Sequence, residues 1–162
     1  MQQFVYEKYE QDKIGRPDVF PEIQFAEEFK NSFFQHFGKA KLFAIYFDEN
    51  EARKLLDIFK PQNSNDDTIG IYKILSKKIP ETNNSTLLGY DLIGIEEYGD
   101  FHSFHCHNII EELSNKFGIT LNEYGLFNDY ANWDLILDYM NDEKTACEPV
   151  PWFTTKVKIL NS

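Results

Sequence analysis

Helical spacing of apolar residues recurs in four segments of the chain. In each segment, apolar side chains return every three to four positions, which places them on one face of a helix. Glycine or proline ends three of these patterns, because glycine commonly follows a helix and proline cannot continue one. The predicted helices are residues 21–37 before Gly38, 48–60 before Pro61, 102–117 before Gly118, and 133–140.

Short runs of aliphatic and aromatic residues predict about five strands. Residues 42–47 are apolar at every position, as in a strand covered on both faces, and they lead directly into the helix that begins at Asp48. Residues 68–76 and 87–95 flank a polar stretch, which predicts the two arms of an antiparallel hairpin. Further strands are expected at residues 4–9 and 152–160.

The order of these elements favours an antiparallel arrangement. Helices and strands alternate irregularly, and one pair of strands forms a hairpin, so a doubly wound parallel sheet is disfavoured. We predict an α+β fold with a mixed or mainly antiparallel sheet of about five strands covered by about four helices. The 162 residues contain no internal repeat or long linker, so residues 1–162 are expected to form a single domain.

The composition is typical of a chain that folds around an aromatic-rich core. Its apolar fraction of 42% includes 15 Phe, 9 Tyr and 2 Trp, which excludes a disordered chain. The amino terminus lacks the regions of a secretory signal, and the longest apolar run, residues 42–47, is too short to cross a bilayer. Cys106 and Cys147 belong to no paired motif, which fits a reducing compartment. We therefore expect a cytoplasmic bacterial protein without membrane association.

Negative charge is concentrated in one part of the chain. The net charge is −11, and residues 89–150 hold 13 acidic residues against only Lys116 and Lys144. Such a field repels nucleic acid and attracts basic proteins, so we expect a protein partner and no nucleic acid, although a merely solvated acidic face is the simpler alternative. The residues expected to contact a partner are Asp91, Glu96, Glu97, Asp100, Glu111, Glu112, Asp129, Asp134 and Asp138.

The densest group of reactive side chains lies in residues 101–111, which hold three of the four histidines. On a helix, His102 and Cys106 would share the apolar stripe. His105 and His107 would project roughly 200° apart, so the three imidazoles would not meet at one metal ion. A structural role is the favoured interpretation. A small metal- or thiol-dependent hydrolase centred on this segment is the alternative that stays open.

No other pattern in the chain predicts an active site. Glu96 and Glu97 are consecutive on a predicted strand and point to opposite faces, so they do not form a carboxylate pair. No phosphate-binding loop occurs, and residues 89–94 lack the glycine spacing of a dinucleotide site. We therefore predict a protein with no catalytic residues, no metal ligands and no cofactor.

Four short segments in the second half of the chain form a recognisable set. They are GYDLIG at 89–94, FHSF at 101–104, LNEYGL at 121–126 and EPVPW at 148–152. Together they resemble small bacterial immunity proteins that are encoded beside polymorphic toxins. The resemblance implies a non-enzymatic protein that binds and neutralises the toxic domain of a contact-dependent or secreted toxin from its own locus.

The charge distribution suggests which toxin would suit such a protein. An acidic inhibitor is steered to a basic cleft, such as that of a nuclease, and aromatic side chains often anchor such contacts. The aromatic candidates are Tyr98, Tyr130 and Tyr139. An intracellular acidic adaptor or nucleic-acid mimic with another basic partner is the remaining alternative.

Overall fold

The described part of the chain forms an α+β fold around one antiparallel sheet. The computed structural model describes residues 26–28, 30–31, 41–66, 68, 72–73, 75–76, 83–96, 101–107, 109–129, 132–142, 144 and 148–161. Its elements are β1 (Phe43–Phe47), α1 (Glu49–Ile58), β2 (Ser85–Ile95), β3 (Phe101–Ser103), a 3-10 turn (Phe104–His107), α2 (Ile110–Phe117), α3 (Trp133–Met140) and β4 (Trp152–Leu160). The α+β prediction is confirmed, but within the described residues the sheet has four strands and not five.

The four strands follow the order β1-β4-β2-β3, and every neighbouring pair is antiparallel. β4 is therefore an inner strand, with Phe153 opposite Ile93 of β2 and Thr155 opposite Phe47 of β1. A register shift between Leu87 and Gly89 interrupts the β2–β4 ladder. Such an irregularity bends a strand and strengthens its twist.

Alternation along β2 and β4 gives the sheet two apolar sides. Leu92 and Trp152 are buried on the side where α2 and α3 pack, which we call the α2/α3 side. Ile93 and Phe153 point to the opposite side, where they meet two buried residues of α1; this is the α1 side. Those residues are Leu55 and Phe59. The sheet is thus a middle layer between helices.

Local interactions fix the ends of the helices and their attachment to the sheet. The Asp48 carboxylate accepts hydrogen bonds from the backbone N–H groups of Asn50 and Glu51 and so caps α1. Gly118 ends α2 in the left-handed conformation that favours glycine. After α3, the Asn141 side chain accepts from the backbone N–H of Trp152 and donates to the Leu137 carbonyl, which ties the helix to β4.

The four segments that carry the immunity-protein resemblance meet on β2. A Cβ atom at Gly89 would lie 2.7 Å from the Phe127 carbonyl oxygen and 2.8 Å from Leu126 Cβ, so glycine permits the loop 121–127 to contact the strand. A Cβ atom at Gly94 would lie 2.7 Å from Val150 Cγ2. β3 completes the set, because its His102 is paired with Gly94. These segments therefore build the scaffold around one strand.

Two sequence predictions are wrong. The described residues of 68–76 do not form a hairpin strand: Tyr72 and Ser76 donate backbone hydrogen bonds to the carbonyls four residues earlier, as in a helix. The helix predicted from residue 102 also begins later, because β3 and the 3-10 turn precede α2. A strand of three residues is too short to show a period of its own.

The remaining elements agree with the predictions where the structure describes them. The strands expected at 42–47, 87–95 and 152–160 and the helices expected at 48–60 and 133–140 are present. Of the helix expected at 21–37, residues 26–28, 30 and 31 are helical, and its other residues lie outside the described part, as does the strand expected at 4–9. Within the described residues, every helix is too short or too polar to traverse a bilayer.

Candidate functional site

One cluster of potential ligand groups forms at the end of the sheet where β2 meets β3. Glu96, His102 and Glu148 each offer one ligand atom, and these three atoms all lie within 4.8 Å of one another. His102 Nε2 lies 2.6 Å from Glu96 Oε1, at hydrogen-bond distance. The His102 side chain is 18% exposed and that of Glu96 33%, whereas Glu148 is exposed. The cluster is therefore open to solvent on its Glu148 side.

The sheet and one tight loop position this cluster. Glu96 directly follows β2, and His102 is paired with Gly94 on the neighbouring strand, so both side chains point to the same face. Because Gly94 has no side chain, Val150 packs directly on β2. The Glu148 carbonyl accepts hydrogen bonds from the Trp152 indole N–H and from the Val150 backbone N–H. The loop thus brings Glu148 over His102.

A second feature is the exposed surface of α3. Trp133, Ile136, Leu137 and Met140 face inward and are buried, as the sequence predicts. At 100° per residue, the outward direction falls on Leu135, with Asp134 and Asp138 on one flank. Leu135 is 58% exposed, and both aspartates are exposed. An apolar side chain therefore lies beside two carboxylates at the centre of an accessible helix face.

The other flank of α3 contacts α2. The Tyr139 hydroxyl donates a hydrogen bond to the Glu112 carboxylate, and the Lys116 ammonium lies 3.6 Å from the centre of the Tyr139 ring. Phe117 meets the same ring edge-on. Tyr139 is half-buried and joins the two helices. We use the name "acidic face" for Glu112, Asp134, Leu135, Asp138 and Tyr139.

A cleft of about 600 Å³ lies between α3 and α1. Asp134 and Leu137 line it from α3, and Glu51 and Lys54 line it from α1. The Lys54 ammonium lies 2.8 Å from Glu51 Oε1, and this hydrogen bond raises the pKa of Lys54, with Asp134 adding to the shift. A lysine from the first half of the chain is therefore folded back toward the acidic helix.

Asp91 has a different environment from the other acidic residues. It is partly buried on the sheet, opposite the fully buried Thr155, and its Oδ1 accepts a hydrogen bond from the Leu92 backbone N–H. Burial raises the pKa of Asp91 to about 6, against the lowering effects of this hydrogen bond and of His105. Asp91 is therefore poorly placed to contact a protein partner.

The structure divides the nine predicted partner-binding residues into several places. Glu111 and Glu112 occupy the first turn of α2, where carboxylates favourably meet the helix dipole, and Asp129 is exposed in the loop before α3. Asp134 and Asp138 share the acidic face, whereas Glu96 belongs to the His102 cluster. Glu97 and Asp100 lie outside the described residues, as do Tyr98 and Tyr130.

The sequence predicts one helix through His102 and Cys106, on which the histidines could not share a metal ion. His102 is instead in β3, and residue 106 is in the 3-10 turn. The side chains of Cys106 and His107 lie outside the described part. His105 Nε2 lies 2.8 Å from the Gly125 carbonyl oxygen, a structural contact. Glu148 was missed, because nothing in its local sequence indicates that it meets His102.

Comparison with known proteins gives no further guide to function. No protein-family model matches the chain, and no similar protein was found among curated proteins or among solved structures.

Proposed function

We propose that this chain is an immunity protein that binds and neutralises a basic toxin domain, and that the acidic face is its contact surface. The observation that carries the proposal is the exposure of Leu135 next to Asp134 and Asp138 on α3. Protein contact surfaces commonly join an apolar centre with a charged surround, and this face has both. In this role the chain acts by occupying a surface of its partner, without catalysis.

The charges of the acidic face favour a basic partner. Asp134 and Asp138 are one helical turn apart, where like charges repel each other. This repulsion slightly destabilises the helix. A basic partner would remove the cost by neutralising both carboxylates. The central Leu135 would lose its exposed apolar surface in the same contact.

The chemistry of a nuclease fits these requirements. A nuclease cleft carries lysine and arginine residues to hold phosphates, so an acidic protein surface both attracts and covers it. Binding that covers such a cleft would exclude nucleic acid by competition. The motifs that resemble immunity proteins form the scaffold around β2 and do not supply these contacts, which fits a family whose contact surface varies while its scaffold is kept.

Co-expression with the toxin domain encoded beside this chain tests the proposal. The wild-type chain should restore growth and co-purify with the toxin domain as a stable complex. The double variant Asp134→Lys/Asp138→Lys should slow association about tenfold or more at low salt, and the difference should shrink as salt rises. Leu135→Asp should weaken binding through faster dissociation, because it places a charge at the centre of the contact.

A matched control separates the acidic face from total charge. The variant Glu27→Lys/Glu123→Lys makes the same change in net charge at two exposed positions outside the face. It should bind the toxin domain much more tightly than the α3 double variant. Equal weakening by the two variants would mean that net charge alone steers the partner, and absence of any complex with the wild-type chain would disprove the function.

A further inference from the structure

We infer that Glu96, His102 and Glu148 form a binding site for a divalent transition-metal cation of the Zn²⁺ type. Their three ligand atoms lie within 4.8 Å of one another. Nitrogen and oxygen ligands bind Zn²⁺ at about 2.1 Å, which places them roughly 3 to 4 Å apart around one ion. Small rotations of the two glutamate side chains are enough to reach this arrangement.

The donor set defines the class of cation. One imidazole and two carboxylates form a mixed nitrogen and oxygen set, which suits Zn²⁺ and its first-row neighbours. Mg²⁺ and Ca²⁺ prefer oxygen ligands alone, so the imidazole of His102 selects against them. Three protein ligands also leave a coordination position for water, and the exposure of Glu148 gives that position access to solvent.

The charges around the cluster also favour a cation. Glu96 and Glu148 are two carboxylates brought close together, and no lysine or arginine of the described residues forms an ion pair with either of them. Like charges at such a distance repel each other. His102 balances at most one of the two carboxylates, and only when it is protonated. A divalent ion would neutralise both.

The scaffold holds the three ligands before any ion arrives. Glu96 directly follows β2 and His102 lies in the paired strand β3, so the register of the two strands fixes their separation. Glu148 is held through its backbone, because its carbonyl accepts hydrogen bonds from Trp152 and Val150. Ligands from three separate segments therefore converge without a further change of backbone, so little ordering is required on binding. The bound ion would join the 148–150 loop to the end of the sheet.

This inference is independent of the proposed function. The cluster shares no residue with the acidic face, so either can fail alone. It also differs from the hydrolase alternative, since Cys106 is not a ligand and no reaction is assigned to the ion.

Calorimetric titration of the reduced, chelator-treated full chain with ZnCl₂ tests the site. We expect one equivalent of Zn²⁺ to bind, and MgCl₂ at the same concentration to leave that binding unchanged. Glu148→Gln keeps the size of the exposed side chain but removes its charge, and should lower the affinity by about 100-fold. The matched control Glu123→Gln removes an exposed carboxylate outside the cluster and should bind Zn²⁺ as the wild type does.

Substitution with Co²⁺ identifies the ligands. Nitrogen and oxygen ligands give visible absorption without the near-ultraviolet charge-transfer band of a cobalt–thiolate bond, so the absence of that band supports the assignment. A thiolate band, or unchanged Zn²⁺ affinity in the Glu148→Gln variant, would place the ion on the cysteines or other histidines and overturn it. Failure of the wild-type chain to bind Zn²⁺ at millimolar concentration would show that the cluster is an ion pair only.

Discussion

The α2/α3 side and the α1 side of the sheet share the same inner strands but are covered differently. On the α2/α3 side, buried residues from both helices, the 3-10 turn and the loop at Phe127 surround Leu92 and Trp152. On the α1 side, the buried cluster formed by the described residues is smaller, and Phe43 and Ile45 of β1 are 56% and 44% exposed. Alternation along β2 and β4 makes both sides apolar, but among the described residues the larger buried cluster forms where several elements meet over the sheet.

Truncating one phenylalanine on each side of the sheet tests the difference in packing most directly. Phe104 is fully buried between several elements of the α2/α3 side, and Phe59 is buried near the end of α1. We expect Phe104→Ala to cost about 4 to 5 kcal/mol and Phe59→Ala about 3 kcal/mol, because a cavity near the end of a helix can be filled by relaxation more easily than one enclosed by several elements. Urea unfolding of both variants measures the difference. Equal losses would show that the two sides are equally rigid.

Asp91 points to the α1 side together with Ile93. Its burial there should make the stability of the fold depend on pH. Folding favours the protonated carboxyl, because the pKa rises from 3.8 to about 6. The resulting stability is therefore fully present only well below the unfolded pKa of 3.8 and is lost as the pH rises toward and through 6. Two pKa units at about 1.4 kcal/mol each predict that Asp91→Asn is about 3 kcal/mol more stable than wild type at pH 8.

The same pair of proteins should show almost no gain at pH 3.5, where Asp91 is mostly protonated in the folded and unfolded chains alike. Thermal unfolding of both proteins at the two pH values provides the measurement. A gain that is independent of pH would point to a change in packing instead of ionisation.

Gly94 tests the close packing on the α2/α3 side. A Cβ atom there would lie 2.7 Å from Val150 Cγ2 and 3.1 Å from Trp152 Cε2, so Gly94→Ala should destabilise the fold by about 2 kcal/mol. Adding Val150→Ala should recover part of the loss, because it removes the nearest methyl group. A double-mutant cycle measures this recovery, and strict additivity of the two changes would exclude the contact.

The smallest expected effect lies on the outer surface of α3, where neither packed side of the sheet is disturbed. Asp138→Asn removes the repulsion with Asp134 and should stabilise the fold by about 0.3 kcal/mol at low salt. Added salt should reduce the gain, as expected for exposed charges. Chemical unfolding at two salt concentrations checks this, and a loss of stability would mean that Asp138 makes a favourable contact.

Long regular elements could be predicted from the sequence, because their periods are visible over many residues. The inward stripe of α3 and the alternation along β4 follow directly from the order of their side chains. The segment at Tyr72 could not be assigned in this way, since its alternating apolar residues suit a strand and tertiary context decided for a helix. β3 was missed for another reason, because a strand of three residues is too short to show a period.

The two candidate sites also differ in whether the sequence could predict them. The exposure of Asp134 and Asp138 follows from the period of α3, so the sequence could indicate the acidic face. The approach of Glu148 to His102 requires the β2–β3 register and the contact of Val150 with Gly94, neither of which any local pattern shows. The approach of Lys54 to Asp134 was missed because charge was counted along the chain and not in space.

The inner position of β4 bears on how the molecule forms during synthesis. Both β1 and β2 pair with β4, yet β4 leaves the ribosome after both of them. The two earlier strands must therefore wait with open edges, and an open edge is where unwanted association between chains begins. Sheet closure links residues as distant as Phe43 and Ile159, so its rate should be limited by slow, non-local pairing. A nascent chain of this kind would gain from a chaperone until β4 is inserted.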